Sequence, residues 1–279
     1  MDFAQQLVNG VQIGSVYALV AIGYTMVYGI AKMINFAHGD IIMVGSYVAL
    51  LFFQSSGLPV WGAIAATAAV SAVLGVTIER LAYKPLRGGS RMSALITTIG
   101  VSLMLQNGFL LIFGSSPKPF PNHFTGEGFT LGGVTVSRLT AITLVVTVVL
   151  MVLLTLFVNR TRVGKAMRAV SEDQGAAQLM GINIDTSISI TFAIGSALAA
   201  VAAVLYSSTY PLINPYMGSM LGLRAFIAAV IGGIGVIPGA MIGGFIIGIA
   251  EALIKRYISS AMADAIVFAL LIIVLLVKP

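Results

Sequence analysis

Apolar runs of about 20 residues recur along the whole chain, and they constrain its fold more than any other feature. Each run is long enough to cross the hydrocarbon core of a bilayer as an α-helix. Hydrophobic residues make up 58% of the chain and charged residues 9%, whereas soluble domains carry about 25% charged residues. The alternating pattern of an outer-membrane barrel strand does not occur. The sequence therefore predicts an all-α polytopic membrane protein.

Hydropathy predicts nine apolar segments in one transmembrane domain that covers residues 1–279. They are residues 8–30, 35–53, 60–81, 94–113, 139–158, 187–207, 223–235, 240–254 and 263–277. The seventh segment is short and the second begins with polar residues, so eight crossings are as plausible as nine. We expect a bundle of about eight transmembrane helices, with broken or re-entrant segments among them. The first residues lack a basic region and a cleavage site, so we expect the first helix to be retained.

Basic residues concentrate in two short loops, which together hold eight of the 15 Lys and Arg residues. They are Arg80, Lys84, Arg87, Arg91 and Arg160, Arg162, Lys165, Arg168. Because positive charge stays on the cytoplasmic side, both loops are predicted to be cytoplasmic and residues 114–138 external. Proline and glycine in that external loop favour irregular structure or a short hairpin. The N-terminus lies outside if three spans precede Arg80, and inside if one of them is re-entrant. Basic residues placed in this way argue against a nucleic-acid partner.

The cytoplasmic loop over residues 159–186 contains a short helix signal. Ser171 and Gln174 have the spacing of a capping box, which places Glu172 in the first helical turn, where the helix dipole favours an acid. Gly181 can end the helix in the left-handed conformation. The pattern predicts a helix of roughly nine residues, an ordinary length.

Two interpretations of this loop remain open from the residues alone. Ala176, Ala177 and Met180 are expected to cluster on one side of this helix and form a surface that suits docking to a partner protein. The preceding residues are amphipathic, with a basic side that includes Arg168, and such helices often lie on anionic headgroups.

Polar residues inside apolar segments are functional candidates, because they are costly in hydrocarbon. Asn35, His38 and Asp40 lie in INFAHGD, where Gly39 permits a sharp backbone bend. One interpretation is a broken helix that lines a translocation path. The other is an interfacial turn in which Asp40 caps the following helix.

Four further polar residues extend the candidate set. Gln106 and Asn107 lie in the fourth segment and are expected to form helix–helix hydrogen bonds. Arg224 stands alone at the start of the seventh segment, where it either snorkels to the interface or binds a carboxylate of the substrate or of a docking protein. Glu251 precedes Lys255 by four residues, which predicts an ion pair on one helix face.

Glycines spaced four apart predict close helix packing in lipid. The pairs are Gly10 and Gly14, Gly239 and Gly243, and Gly244 and Gly248.

Several reaction classes lack their motifs in this sequence. There is no cysteine and no G-x-x-x-x-G-K-[ST], so we expect no thiol chemistry and no ATP hydrolysis on this chain. G-x-S-x-G and H-E-x-x-H are also missing. An intramembrane aspartyl hydrolase needs two facing carboxylates, and Asp40 has no second aspartate well inside a predicted span. We therefore expect no enzyme and no cofactor or metal site on this chain.

Long stretches in order along the chain resemble one permease of the high-affinity branched-chain amino acid (leucine/isoleucine/valine) ABC importers. They include VYALVAIGYTMVYGIAKMINFAHGDIIMVGSY, GKAMRAVSEDQGAAQLMGIN and AAVIGGIGVIPGAMIGGFIIGIAEAL. Residues 175–181 are similar to the EAA loop of ABC permeases, although Gly175 stands where the general motif has Glu. The resemblance implies a translocation subunit of the bacterial plasma (inner) membrane that works by alternating access.

The partners and the coupling role follow from the same resemblance. It implies a second homologous permease, two ATP-binding subunits and a periplasmic or extracellular substrate-binding protein, with ATP and magnesium on the ATPase. It also implies that Arg168, Glu172, Gly175, Ala176, Ala177, Met180 and Gly181 couple this chain to that ATPase. The rival interpretation is an ion-coupled secondary transporter of amino acids, urea or amides, with His38 and Asp40 as its coupling site.

Overall fold

The computed structural model describes residues 2–87, 89–124, 126, 128–131 and 133–277. Across these residues the helices are α1 (Asp2–Ala31), α2 (His38–Ser55), α3 (Val60–Ile78), α4 (Arg91–Phe113), α5 (Arg138–Arg160), α6 (Arg162–Glu172), α7 (Gln174–Leu179), α8 (Ile184–Thr209), α9 (Met217–Gly232), α10 (Ile237–Tyr257) and α11 (Ala263–Val277). A π-helical turn (Glu79–Tyr83) and a 3₁₀ turn (Lys84–Leu86) extend α3. Six helices of the described chain are long and apolar enough to cross a membrane, which confirms the polytopic all-α class.

Four short strands cover the face opposite the basic loops. They are β1 (Lys118–Pro119), β2 (Phe129–Leu131), β3 (Val134–Val136) and β4 (Leu212–Ile213). β2 and β3 form the hairpin expected in residues 114–138, and β1 pairs with β4 from the loop after α8. Thr125, Glu127 and Gly132 of this loop lie outside the described residues.

Two predicted segments have different bounds in the structure. The second was expected from residue 35, but residues 32–37 are non-helical and α2 begins at His38. Lys32 leaves α1 with φ 55°, the left-handed region that ends a helix. The seventh was expected from residue 223, but α9 already begins at Met217. Glycine and serine in its first turns are weak helix formers, and tertiary packing overrides that preference here.

Contacts between loops assign the two faces of the bundle. Lys84 Nζ lies 2.7 Å from Asp185 Oδ2, so the α3–α4 turn and the α7–α8 junction share one face, as predicted for the two basic loops. At the other face the Gln5 side chain bonds the backbone of Thr135 at 2.9 and 3.0 Å. With the basic face cytoplasmic, the N-terminal end of α1 is external.

The glycine pairs bring helix backbones into contact, as their spacing predicted. A Cβ added at Gly10 would lie 2.6 Å from Ile249 Cα, and one added at Gly248 would collide with the Gly14 backbone. The antiparallel helices α1 and α10 therefore cross with no room for a side chain between them. In lipid, such close approach gains the van der Waals contact that holds helices together.

Helix packing repeats in inverted form, although no internal repeat is evident in the sequence. α1 packs on α10 and α9, and α8 packs on α3 and α2 in the same way. The backbones of Gly23 in α1 and Gly195 in α8 face each other, as do those of Gly39 in α2 and Gly218 in α9. Because α1 and α8 cross in opposite directions, α1–α4 and α8–α11 are two halves of opposite orientation, an arrangement that transporters use.

Candidate functional site

The segment α6–α7 projects a short helix from the cytoplasmic face. The Thr161 hydroxyl accepts from Gly164 N at 3.0 Å and caps α6. The Asp173 carboxylate accepts from Ala176 N at 3.0 Å and caps α7. Gly181 has φ +80°, which confirms the predicted left-handed stop.

The predicted capping box is wrong. Ser171 lies inside the last turn of α6, where its hydroxyl donates to Arg168 O at 2.7 Å. Glu172 is the last residue of α6 and is not in the first turn of α7. The cap falls on Asp173, so α7 has six residues instead of about nine. α6 continues this far because Met167 and Val170 on its inner side are buried.

The surface that α7 presents differs from the predicted one. Ala177 is buried and does not share a face with Ala176 and Met180. Leu179 is 90% exposed and Met180 is 82% exposed, so two large apolar side chains stand free on the cytoplasmic side. Leu179 was missed in the sequence, where a leucine in a polar loop helix was the available signal. Gly175 and Ala176 are also exposed and leave space beside this pair.

The apolar side of α6 packs inside the protein, whereas contact of its basic side with anionic headgroups stays a prediction. Met167 and Val170 are buried within the protein, and α6 packs against α1, α5 and α8. Arg168 is exposed and lines a cavity of about 450 Å³ between α1 and the α9–α10 loop.

A buried ion-pair network joins the α7–α8 junction to the α3–α4 turn. Arg87 bonds the carboxylates of both Glu79 and Asp185, and Ser189 Oγ donates to Glu79 Oε2 at 2.6 Å. The Glu79 side chain is fully buried, while Asp185 is about half exposed. The start of α8 is therefore bonded directly to the cytoplasmic end of α3 and to the turn that follows it.

A polar cluster lies where α2 and α9 begin inside the bundle. Asn35, His38 and Asp40 are buried, and Gln106 Nε2 of α4 donates to Asp40 Oδ1 at 2.9 Å. The same amide lies 2.9 Å from Ser219 Oγ in the first turn of α9. The Asn35 amide has no hydrogen-bond partner in the described part of the chain. A polar group left unpaired in a bundle core is costly and marks a functional candidate.

Two local expectations about this cluster are wrong. Gly39 is helical and does not form the expected bend. Glycine is required there because a Cβ would collide with the backbones of Gly218 and Gly222. Asp40 does not cap α2, because the N-cap residue is Ala37 and no side chain caps it. The broken-helix interpretation fits the observed interruption of residues 32–37.

Asn107 does not belong to this cluster. Its Nδ2 donates to Leu103 O of its own helix at 2.8 Å on an exposed face, so the expected helix–helix bond is made by Gln106 alone.

Arg224 is not the isolated cation that the sequence suggested. Its guanidinium bonds Asp264 and Tyr17 Oη, and Nη1 lies 3.1 Å from Glu251 Oε1. The predicted pair of Glu251 with Lys255 is confirmed, yet Glu251 is buried and serves both cations. The network ties α1, α9, α10 and α11 together near the external side.

A family model described as "Branched-chain amino acid transport system / permease component" matches residues 6–275. The chain belongs to this permease family. Two relatives are each 48% identical over 99% of this chain and 94% of their own length. They are the high-affinity branched-chain amino acid transport system permease proteins BraD of Pseudomonas aeruginosa and LivH of Escherichia coli K12.

A more distant relative and one solved structure also match this chain. The ribose import permease protein RbsC of Escherichia coli K12 is 26% identical over 71% of this chain and 60% of its own. A chain in the structure titled "PsaBC from Streptococcus pneumoniae in complex with Fab" matches with a TM-score of 0.51 and 15% identity. The match covers 98% of this permease and 91% of that chain, and it shows a shared fold.

Proposed function

We propose that this permease is the membrane-spanning subunit of an ATP-driven importer of branched-chain amino acids in the bacterial plasma (inner) membrane. The relatives at 48% identity over nearly the whole chain are permeases of such systems. The observation that carries the coupling role is the exposed pair Leu179 and Met180 on a capped cytoplasmic helix. Exposed apolar side chains at a rigid position are typical of a protein docking surface.

The proposed assembly contains a second homologous permease, two ATP-binding subunits and a substrate-binding protein on the external side. ATP and magnesium bind the ATPase subunits, and this chain is a translocation subunit without enzymatic activity of its own. Residues 159–186 form the coupling loop, in which Arg168, Glu172, Gly175, Ala176, Met180 and Gly181 face or shape the contact. Ala177 supports that surface from behind, because it is buried.

In the proposed mechanism, closure of the ATPases displaces α7 and the displacement passes through Gly181 into α8. The bridge from Asp185 to Arg87 carries it on to the α3–α4 turn. Gln106 then connects α4 to the beginnings of α2 and α9, where the two halves of the inverted repeat meet. This route connects α7 to the interior of the bundle through the continuous backbone, one ion pair and the hydrogen bonds of Gln106.

The proposed translocation path includes the polar cluster of Asn35, His38, Asp40 and Gln106. An amino acid needs few polar contacts on an otherwise apolar route, and discontinuous helices supply such contacts in other transporters. Arg224 is not included, since its charge is balanced by Glu251 and Asp264. Asn107 is not included either, because it lies on an exposed face.

The coupling proposal is tested by recovery of an ATP-binding subunit with the tagged chain from gently solubilised native membranes. Wild type and Leu212→Asp should recover the ATPase, and Leu179→Asp should lose it. Leu212 is 61% exposed on the external face, which makes it a matched control for an added charge on an exposed leucine. Equal recovery with both variants, or no ATPase with wild type under conditions that preserve other membrane complexes, would overturn the proposal.

The relatives favour the importer over the ion-coupled transporter, for which His38 and Asp40 would be the coupling site. Uptake of radiolabelled leucine separates the two. The importer loses uptake when ATP is depleted and keeps it when the proton and sodium gradients collapse. The reverse result selects the ion-coupled transporter.

A further inference from the structure

A cavity of about 620 Å³ lies between the cytoplasmic end of α3 and the beginning of α8. Its lining includes neither the exposed pair Leu179 and Met180 nor the polar cluster around Asp40. Its mouth is formed by Arg80, Lys84, Asn183 and Asp185 together with the hydroxyl residues Thr186 and Ser189. The cavity is therefore polar and basic where it opens at the cytoplasmic face.

The inner wall of the cavity is apolar. Val76 lies one turn deeper than Arg80 on α3, and Ile190 and Ala193 lie deeper than Thr186 on α8. Since α3 and α8 run in opposite directions, their polar ends coincide at the cytoplasmic surface and their apolar ends coincide inside the membrane. From Val76 to Lys84 the wall spans roughly 12 Å along the helix axis.

The cavity opens on the surface of the bundle beside exposed apolar side chains of α3. Val73 is 68% exposed and Leu81 is 75% exposed on the neighbouring surface of α3. An occupant that matches both ends must be polar at the cytoplasmic surface and apolar about one helical turn deeper.

The charged side chains in and behind the cavity include one more cation than carboxylate. Lys84 pairs with Asp185 at 2.7 Å, and Arg87 bonds both Asp185 and Glu79 behind the cavity. Arg80 is exposed and forms no ion pair within the described residues. Three cations therefore face two carboxylates, and the excess positive charge is at the mouth.

We propose that this cavity binds an anionic phospholipid. Its phosphate lies against Arg80 and Lys84 with Thr186 as a hydroxyl donor, and the upper part of one acyl chain lies along Val76, Ile190 and Ala193. Basic pockets between spans on the cytoplasmic side recognise anionic headgroups in this way. The apolar wall favours a lipid over a free phosphate, which has nothing to place there.

The test measures retained lipid on the purified chain, with whatever subunits copurify, in nanodiscs of phosphatidylcholine with a minor fraction of phosphatidylglycerol. After transfer to detergent, native mass spectrometry counts the phosphatidylglycerol that remains bound. Arg80→Gln should weaken retention about fivefold, the contribution of one basic side chain near an anionic headgroup. Ala193→Phe should abolish retention without a change of charge, because it fills the apolar wall.

The control is Arg160→Gln, which removes an exposed cation from the same face outside the cavity. It should retain phosphatidylglycerol as wild type does. An equal loss with Arg160→Gln would reduce the effect to general surface attraction and overturn the proposal. Retention of phosphatidylcholine to the same extent, or displacement of the lipid by millimolar inorganic phosphate, would also overturn it.

Discussion

Arg87→Gln tests how much the bridge between α8 and the α3–α4 turn contributes to the free energy of unfolding. Glu79 is fully buried and Arg87 is 18% exposed, so the substitution leaves an ionised carboxylate in the interior with one remaining donor, Ser189. Breaking a buried pair from one side costs about 3–5 kcal/mol. The bond to Asp185 adds less than about 1 kcal/mol, because that carboxylate is half exposed.

The measurement is the unfolding free energy in lipid-free mixed micelles that are titrated with a denaturing detergent. Arg80→Gln serves as the control, since this exposed side chain has no ion pair in the described chain and should change stability by less than about 0.5 kcal/mol. Adding Glu79→Gln to Arg87→Gln removes the orphaned charge and should restore most of the loss. If Arg87→Gln is no more destabilising than Arg80→Gln, the bridge is not a buried ion pair and the reasoning fails.

Three further substitutions test other parts of the fold. Gly248→Leu should prevent assembly of α1 on α10 and give aggregated protein in size-exclusion chromatography, whereas Gly100→Leu should behave as wild type, because a Cβ there meets nothing within 4 Å. Gln106→Leu should lower stability by about 1–3 kcal/mol by leaving its buried partners unpaired, and Asn107→Leu should leave it nearly unchanged. Asp173→Ala should cost about 1 kcal/mol and speed amide exchange in α7, and an unchanged exchange rate there would show that this residue is not the cap.

The polytopic helical class and the shared face of the two basic loops were predictable, because hydropathy reports spans and charge marks the loops on one side. The close crossing of α1 with α10 was also predictable, since small residues four apart mark such interfaces. The N-cap residue of α7 was not predictable, because serine and aspartate are both common N-cap residues and Ser171 and Asp173 both fit. The burial of Met167 and Val170 decided between them, and burial of a particular helix face is set by its tertiary neighbours.

The candidate residues that failed did so through partners distant in sequence. Arg224 looks isolated in the sequence because its partners Glu251 and Asp264 lie on two later helices. The INFAHGD sequence predicts a bend at Gly39, whereas glycine is required there because the backbone of α9 lies against it. Both errors have one cause, since a single sequence gives hydropathy and local turn chemistry but not which helices meet.

The packing of α1 has a consequence for how the chain is made. Most of α1 is buried, yet the helices that cover its glycine surface, α8 and α10, are synthesised after residue 183. For most of translation α1 must wait in the bilayer with its glycine surface uncovered, because the long-range contacts that hold it form last. A chain truncated before α8 would therefore be inserted yet unassembled, and a membrane insertase or chaperone that shelters the first helix would govern the yield of the whole permease.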